Sequence, residues 1–194
     1  MIFDFIEIGT SDFDTLISTT ENKIGLSIEP LKYYLDNLPN NRSVIKLNAA
    51  ITDFDGYVDI FWIDHDDIVK YDLPLWLRGC NSIIDPHKSS IKELEQRKLS
   101  HLMKSGKCTC ISWDTLVNRY NINGVEFLKI DTEGHDCKIL LSIVKSNTKI
   151  LPKKIKFESN VLTDELELKN TLISLLELGY KIKDRTLDDF IIEL

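Results

Sequence analysis

The sequence has no basic stripe, no long apolar run and no paired-cysteine motif. Its formal net charge is -7, and its densest basic cluster is Lys153, Lys154 and Lys156 at the entry to an apolar segment. A non-specific grip on nucleic acid needs a cationic face, so no nucleic-acid partner is expected. No apolar run approaches the ~20 residues of a spanning helix, so no membrane span is expected. The opening residues, "MIFDFIEIG", are too acidic and too strand-like for a secretion signal. The four cysteines, Cys80, Cys108, Cys110 and Cys137, form no CxxC pair. That favours reduced thiols in a cytoplasmic protein over a disulfide or zinc framework, and Cys108 and Cys110 are expected to point to opposite faces of a short strand. Internal repeats and linkers are also lacking. A chain of 194 residues, 43% hydrophobic and 28% charged, then reads as one globular domain with a full core.

What is present is an alternation of strand and helix patterns. Strands are expected over residues 3–8, 24–28, 44–51, 57–63, 108–111, 125–130, 155–158, 180–183 and 190–194. A short helix is expected to follow a cap at Thr10 or Ser11. Longer ones are expected over residues 31–38, 113–120, 137–146 and 164–178, the last capped by Thr163. This order predicts an α/β fold: a largely parallel sheet, helices on both faces, and an antiparallel hairpin to finish. Residues 64–107 break the alternation. They carry "LPLWLRGCNS" and "DPHKSS", with a further helix expected over residues 91–103, and read as an insertion over one face of the sheet.

Ligands of open α/β sheets bind beyond the carboxyl ends of the strands, and several strand ends here carry polar chemistry. The first is "FIEIGTSDFDTL". A strand, a glycine turn and a helix start make an anion or nucleotide site, but only Gly9 stands where a dinucleotide fingerprint wants GxGxxG. Two acids in the turn also repel phosphate, so the turn suits a ligand with a sugar and an amino-acid part. Glu29 ends the second strand 20 residues beyond Gly9, the place of the acid that accepts from ribose hydroxyls; the alternative is a helix-entry acid before Pro30. Asn48 and Ala49 end the third strand and leave room for a flat adenine. The stretch "VEFLKIDTEGHDCKIL" then places Asp131, Glu133 and His135 at a strand end that faces the same pocket as Gly9. A carboxylate beside an imidazole can take a proton from a hydroxyl; the alternative makes Asp131 and Asp136 caps of the next helix. Glu158 and Asn160 end the following strand, on the same edge.

Together, "FIEIGTSDFDTL", "GLSIEP", "NAAITDFDG" and "TLVNRYNINGVEFLKIDTEGHDCKIL" resemble the FkbM-type family of S-adenosylmethionine-dependent methyltransferases, from about Phe3 to Asn160. The resemblance implies a class I, Rossmann-like domain with a mainly parallel seven-stranded sheet. It implies O-methylation of a hydroxyl on a sugar, glycan or related small molecule, with S-adenosylhomocysteine as product. Carried over residue by residue, Glu7, Gly9, Thr10 and Ser11 would hold the methionine end of the cofactor, Glu29 the ribose, and Asn48 and Ala49 the adenine. Asp131 and Glu133 would face the methyl group and the acceptor. The insertion, with Trp76 and His87, would join Glu158 and Asn160 in binding the acceptor. The base would be Asp131 or His135, oriented by Glu133, with His87 a further candidate. Related sugar methyltransferases sometimes use Mg²⁺, which would sit at Asp131, although no ligand cluster in the sequence demands a metal. The chain starts almost at its first strand, where this class of enzyme usually has a covering helix or small domain. That implies an open acceptor site, a partner that completes it or, the reading favoured here, a domain of a longer polypeptide, with glycosyltransferase domains as fusion partners or associates. The rival readings are a nucleic-acid methyltransferase and a non-catalytic scaffold module. The first is opposed by the acidic balance and by the lack of an Asn-Pro-Pro-Tyr turn.

Overall fold

The computed structural model describes residues 1–13, 15–159 and 162–194. The chain runs β1 (Ile2–Ile8), α1 (Leu16–Thr19), β2 (Gly25–Ile28), α2 (Lys32–Asn37), β3 (Val44–Leu47), β4 (Ala50–Thr52) and β5 (Gly56–Ile63). It continues through α3 (His65–Lys70), a 3-10 turn (Leu75–Arg78), β6 (Ser82–Ile83), α4 (Lys88–Gln96), a second 3-10 turn (Ser100–Leu102) and β7 (Met103–Ser112). It ends with α5 (Trp113–Arg119), β8 (Gly124–Ile130), α6 (Asp136–Lys145), β9 (Lys154–Glu158), α7 (Glu165–Glu177), β10 (Lys181–Arg185) and β11 (Asp189–Glu193).

Seven strands form the expected main sheet, in the order β3-β2-β1-β8-β9-β11-β10. Only β11 runs against the direction of the other six strands. Helices cover both faces. On one, Ile6 and Ile8 of β1 and Leu128 and Ile130 of β8 pack with Trp113, Leu116, Ile139, Leu140 and Leu175 from α5, α6 and α7. On the other, Phe5 packs with Ile17 of α1 and Leu35 of α2. The alternation of side chains along β1 creates the two layers. The chain order reverses direction across the sheet at β1, so the crevice for a ligand lies above the carboxyl ends of β1 and β8.

Several expectations are corrected. Among the described residues after Gly9, the first helical one is Leu16. The N–H groups of Thr10 and Ser11 are taken by the Glu29 carboxylate, and Ser11 has a left-handed φ of 45°, which cannot start a right-handed helix. The third strand stops at Leu47, where the Asn48 side chain donates to the carbonyls of Glu29 and Pro30. Residues 50–52 then join a second sheet, ordered β4-β7-β5-β6. That sheet was not foreseen, because β7 takes its first five residues from the stretch read as insertion. The helix expected over residues 91–103 ends at Gln96, before Lys98 with φ 60°. Asp164, not Thr163, caps α7, its side chain accepting from Glu167 N–H. Cys108 and Cys110 stand two residues apart on β7 and therefore share a face; both are buried with Val58 and Ile60. The rest of the insertion packs Ile68, Leu73, Leu77, Leu94 and Leu102 against Ile63 at the end of β5 as a separate core.

Candidate active site

The floor of the site is the turn after β1. Gly9 has φ +78°, and a β-carbon there would lie 1.9 Å from the Asp131 carbonyl oxygen. Two strand ends meet at this point: Gly9 N–H donates to Ile28 O and Asp131 N–H to Ile8 O. Only glycine gives both the dihedral and the approach. Glu29 closes the floor from β2. Its Oε2 accepts from Thr10 and Ser11 N–H at 3.1 and 2.8 Å, and its Oε1 from Leu31 N–H at 2.9 Å. Burial pushes this carboxyl up to about 7, against the opposing pull of the three N–H bonds.

Above the floor is a cavity of about 470 Å³. Its apolar wall comes from the ends of β3 to β6: Ala49, Ala50, Ile51, Ile60 and Ile83. The insertion closes one side with Trp76, Gly79, Cys80 and Asn81. That segment is tied to the β1 turn. Arg78 pairs with Asp12 and lies over the Phe13 ring, while Ser11 Oγ donates to Arg78 O.

The far end is acidic, lined by Asp131, Glu133 and Glu158. Buried Asp136, the first residue of α6, shapes this end. It accepts from Thr132 N–H at 3.0 Å, from Thr132 Oγ1, and from Glu158 N–H at 2.9 Å, joining the β8–α6 turn to the end of β9. Burial pushes its carboxyl up to about 7. Asp131 opens into the cavity yet is walled by protein; that crowding raises its carboxyl, with Lys129 opposing. Lys129 also lines the cavity and pairs with buried Glu7 at 3.1 Å. Glu133 has φ 55° and accepts from His87 Nε2 at 3.1 Å. Two groups of metal-donor side chains converge among the described residues, Cys80–His87–Glu133 and Asp131–Glu133–Glu158, each with donor atoms within 4.8 Å of one another.

The fold thus brings together Gly9, Thr10, Ser11, Glu29, Ala49, Trp76, Asp131, Glu133 and Glu158 around one cavity. Four expected residues stand elsewhere. Glu7 lies behind the floor, paired with Lys129 and accepting from Leu16 N–H. Asn48 is spent on the carbonyls of Glu29 and Pro30. His87 is not among the cavity's lining residues and stands behind Glu133 and Cys80, which are. His135 is not among the cavity's lining residues. It is buried at the start of α6, its Nε2 has no partner among the described residues, and desolvation pushes it down to about 4. Asn160 lies outside the described residues. Sequence reasoning missed Lys129, Phe13 and Asp188, all on the cavity wall. Only Lys129 left a signal: a lone cation in the apolar strand "VEFLKI", in register with Glu7.

The domain is an α/β fold with a cavity over the β1–β8 crevice, the place where ligands of open α/β sheets bind. The family model described as methyltransferase FkbM domain matches residues 7–182. The chain therefore belongs to the FkbM methyltransferase family. It is also similar to the crystal structure of methyltransferase FkbM from Methylobacillus flagellatus KT, with a TM-score of 0.57 at 15% identity; the match covers 99% of this chain and 43% of that one. At that identity the likeness is one of fold. No curated protein sequence matches the chain closely enough to count as a relative. Among the described residues, no helix is long and apolar enough to cross a membrane.

Proposed function

We propose that the chain is an S-adenosylmethionine-dependent O-methyltransferase of the class I, Rossmann-like type, acting on a hydroxyl of a sugar, glycan or related small molecule. The observation that carries this reading is the convergence of Glu29, the Gly9 turn and the Asp131–Glu133 turn on one cavity of about 470 Å³. The donor set fits the cofactor. A carboxylate has about four acceptor sites, and three at Glu29 are used by N–H groups, which leaves one for a ribose hydroxyl. The apolar wall at Ala49, Ala50 and Ile51 suits an adenine ring. The acidic end suits an ammonium and a sulfonium. When bound, the cofactor supplies an already activated methyl group.

The chain's own residues then have three tasks. Glu29 and the β1 turn fix the nucleoside end. Asp131, beside the crevice, offers negative charge next to the sulfonium. The insertion closes the cavity against water and holds the acceptor hydroxyl in line, and alignment of this kind is worth several kcal/mol. The acceptor class rests on the family resemblance. The carboxylates Glu133 and Glu158 at the acceptor end, with Asp131 beside them, repel a phosphate backbone, which weighs against a nucleic-acid acceptor.

The test is calorimetric titration with S-adenosylmethionine and S-adenosylhomocysteine, beside Glu29→Ala. Micromolar binding, weakened at least tenfold in the variant, is expected. An absence of binding to either compound would leave a scaffold domain or a different nucleotide.

A further inference from the structure

The pair His87–Glu133 joins two parts of the chain that the cofactor does not need to join. Glu133 sits in the β8–α6 turn and His87 in the insertion. The His87 side chain caps α4: its Nδ1 accepts from Ser89 N–H at 3.2 Å and from Ser90 N–H at 3.4 Å. A ring nitrogen that accepts two N–H groups carries no proton, so the ring proton lies on Nε2. Nε2 therefore donates to Glu133 Oε2, at 3.1 Å. Both side chains are mostly enclosed, 7% and 16% exposed, so water competes little for the bond.

Glu133 also has a less common backbone conformation, as one of eight described non-glycine residues with positive φ. Its φ of 55° is a left-handed conformation that a non-glycine residue keeps only when its surroundings hold it there. The same bond that holds the carboxylate leaves its other oxygen, Oε1, for the cavity that Glu133 lines. Its neighbours there are Gly79 and Cys80 of the insertion, which places it on the acceptor side, whereas Asp131 adjoins the β1 crevice.

We propose that Glu133 is the base that receives the acceptor's proton, and that His87 is a positioning residue which aims it. This rests on the methyl-transfer reading above. As the acceptor oxygen bonds to the methyl carbon, its proton passes to Glu133 Oε1, and the electron pair of the breaking carbon–sulfur bond stays with sulfur. Solvent then takes the proton from Glu133. The same tautomer denies Nε2 to a metal. A metal there would need the Nε2 lone pair and would move the ring proton to Nδ1, against the two N–H groups of α4. The Cys80–His87–Glu133 cluster is thus a hydrogen-bonded base and not a metal centre.

The test has two parts. The first is nitrogen-15 NMR of the full chain with labelled histidine, the His87→Ala variant assigning the signal. A protonated Nε2 and a bare Nδ1 are expected at neutral pH, unchanged by excess Zn²⁺. A proton on Nδ1, or a Zn²⁺-induced shift that Cys80→Ser removes, overturns the positioning role. The second uses radiolabelled S-adenosylmethionine and a pool of methyl hexosides and 6-deoxyhexosides. Glu133→Gln should lose ~10²–10⁴-fold in transfer while still binding S-adenosylhomocysteine, and His87→Ala should lower kcat with little change in the KM for the cofactor. Full transfer by Glu133→Gln overturns the base. Loss of S-adenosylhomocysteine binding by the unaltered chain would instead overturn the cofactor reading, leaving the NMR result to decide the His87–Glu133 pair by itself.

Discussion

Glu29 shows how one side chain can serve both fold and ligand. Its carboxyl gathers three N–H groups from the β1 turn and the α2 entry, so it shapes the floor before any cofactor arrives. Its burial pushes the carboxyl up to about 7. In the proposed function a ribose hydroxyl donates to the ionised form, so binding would draw on the fraction already deprotonated. Affinity for S-adenosylhomocysteine should rise about tenfold per pH unit below pH 7 and level off above it. Calorimetry in buffers of different ionisation enthalpy should show a proton released on binding at pH 6. The Glu29→Gln variant should bind weakly and without this pH dependence; a flat profile in the unaltered chain would mean that Glu29 is ionised throughout or does not meet the ligand.

The β8–α6 turn is the element on which the acidic end depends. Its carboxylates project from a loop, and loops hold a geometry only when their backbone groups are satisfied. Asp136 does this by tying Thr132 and Glu158 together from one buried carboxyl. Gly134, with φ +98°, lets the turn pass against Leu162. Replacing Asp136 by Ala strands up to three donors, and a stranded buried group costs about 1–3 kcal/mol. Urea unfolding should show a loss of ~2–4 kcal/mol for Asp136→Ala, with part of it regained in Asp136→Asn, which keeps one acceptor oxygen. An unchanged midpoint would mean that water replaces the carboxyl without cost.

The molecule as a whole stores several acids where burial opposes their charge. Glu7, Glu29, Asp131 and Asp136 are all raised, by desolvation first. Between about pH 5 and 7 the unfolded chain has Glu29 and Asp136 ionised while the folded chain still binds their protons, so stability falls as pH rises. His135 works the other way. Its imidazole, pushed down to about 4, is neutral when folded and protonated when unfolded, and it adds stability as pH rises toward 6.5. Setting Glu29 and Asp136 against His135 leaves a net excess of one proton in the folded state, or about 1.4 kcal/mol per pH unit. Urea midpoints should therefore fall from pH 5 to 7 and flatten above; a rise across that range would show that the carboxyls are ionised in the fold.

The sequence by itself determined the α/β class, the polar strand ends that line the cavity and the turn at Asp131. Those features are local: a buried parallel strand is a continuous apolar run, a glycine turn follows it, and polar residues then stand at the strand end. Gly9, Glu29 and Asp131 were legible for that reason. Tertiary structure decided what long-range pairing sets. The second sheet depends on β7 finding β5 across the 39 residues between Ile63 and Met103, and no period of two or of 3.6 announces a partner at that distance. His135 looked available in the motif "DTEGHD", but the first turn of α6 rotates it into the core, away from the cavity. Glu133 stands two residues earlier in a left-handed turn and faces the cavity instead. Its hydrogen bond to His87 joins residues 46 apart, and only the folding of the insertion onto the strand ends brings them together.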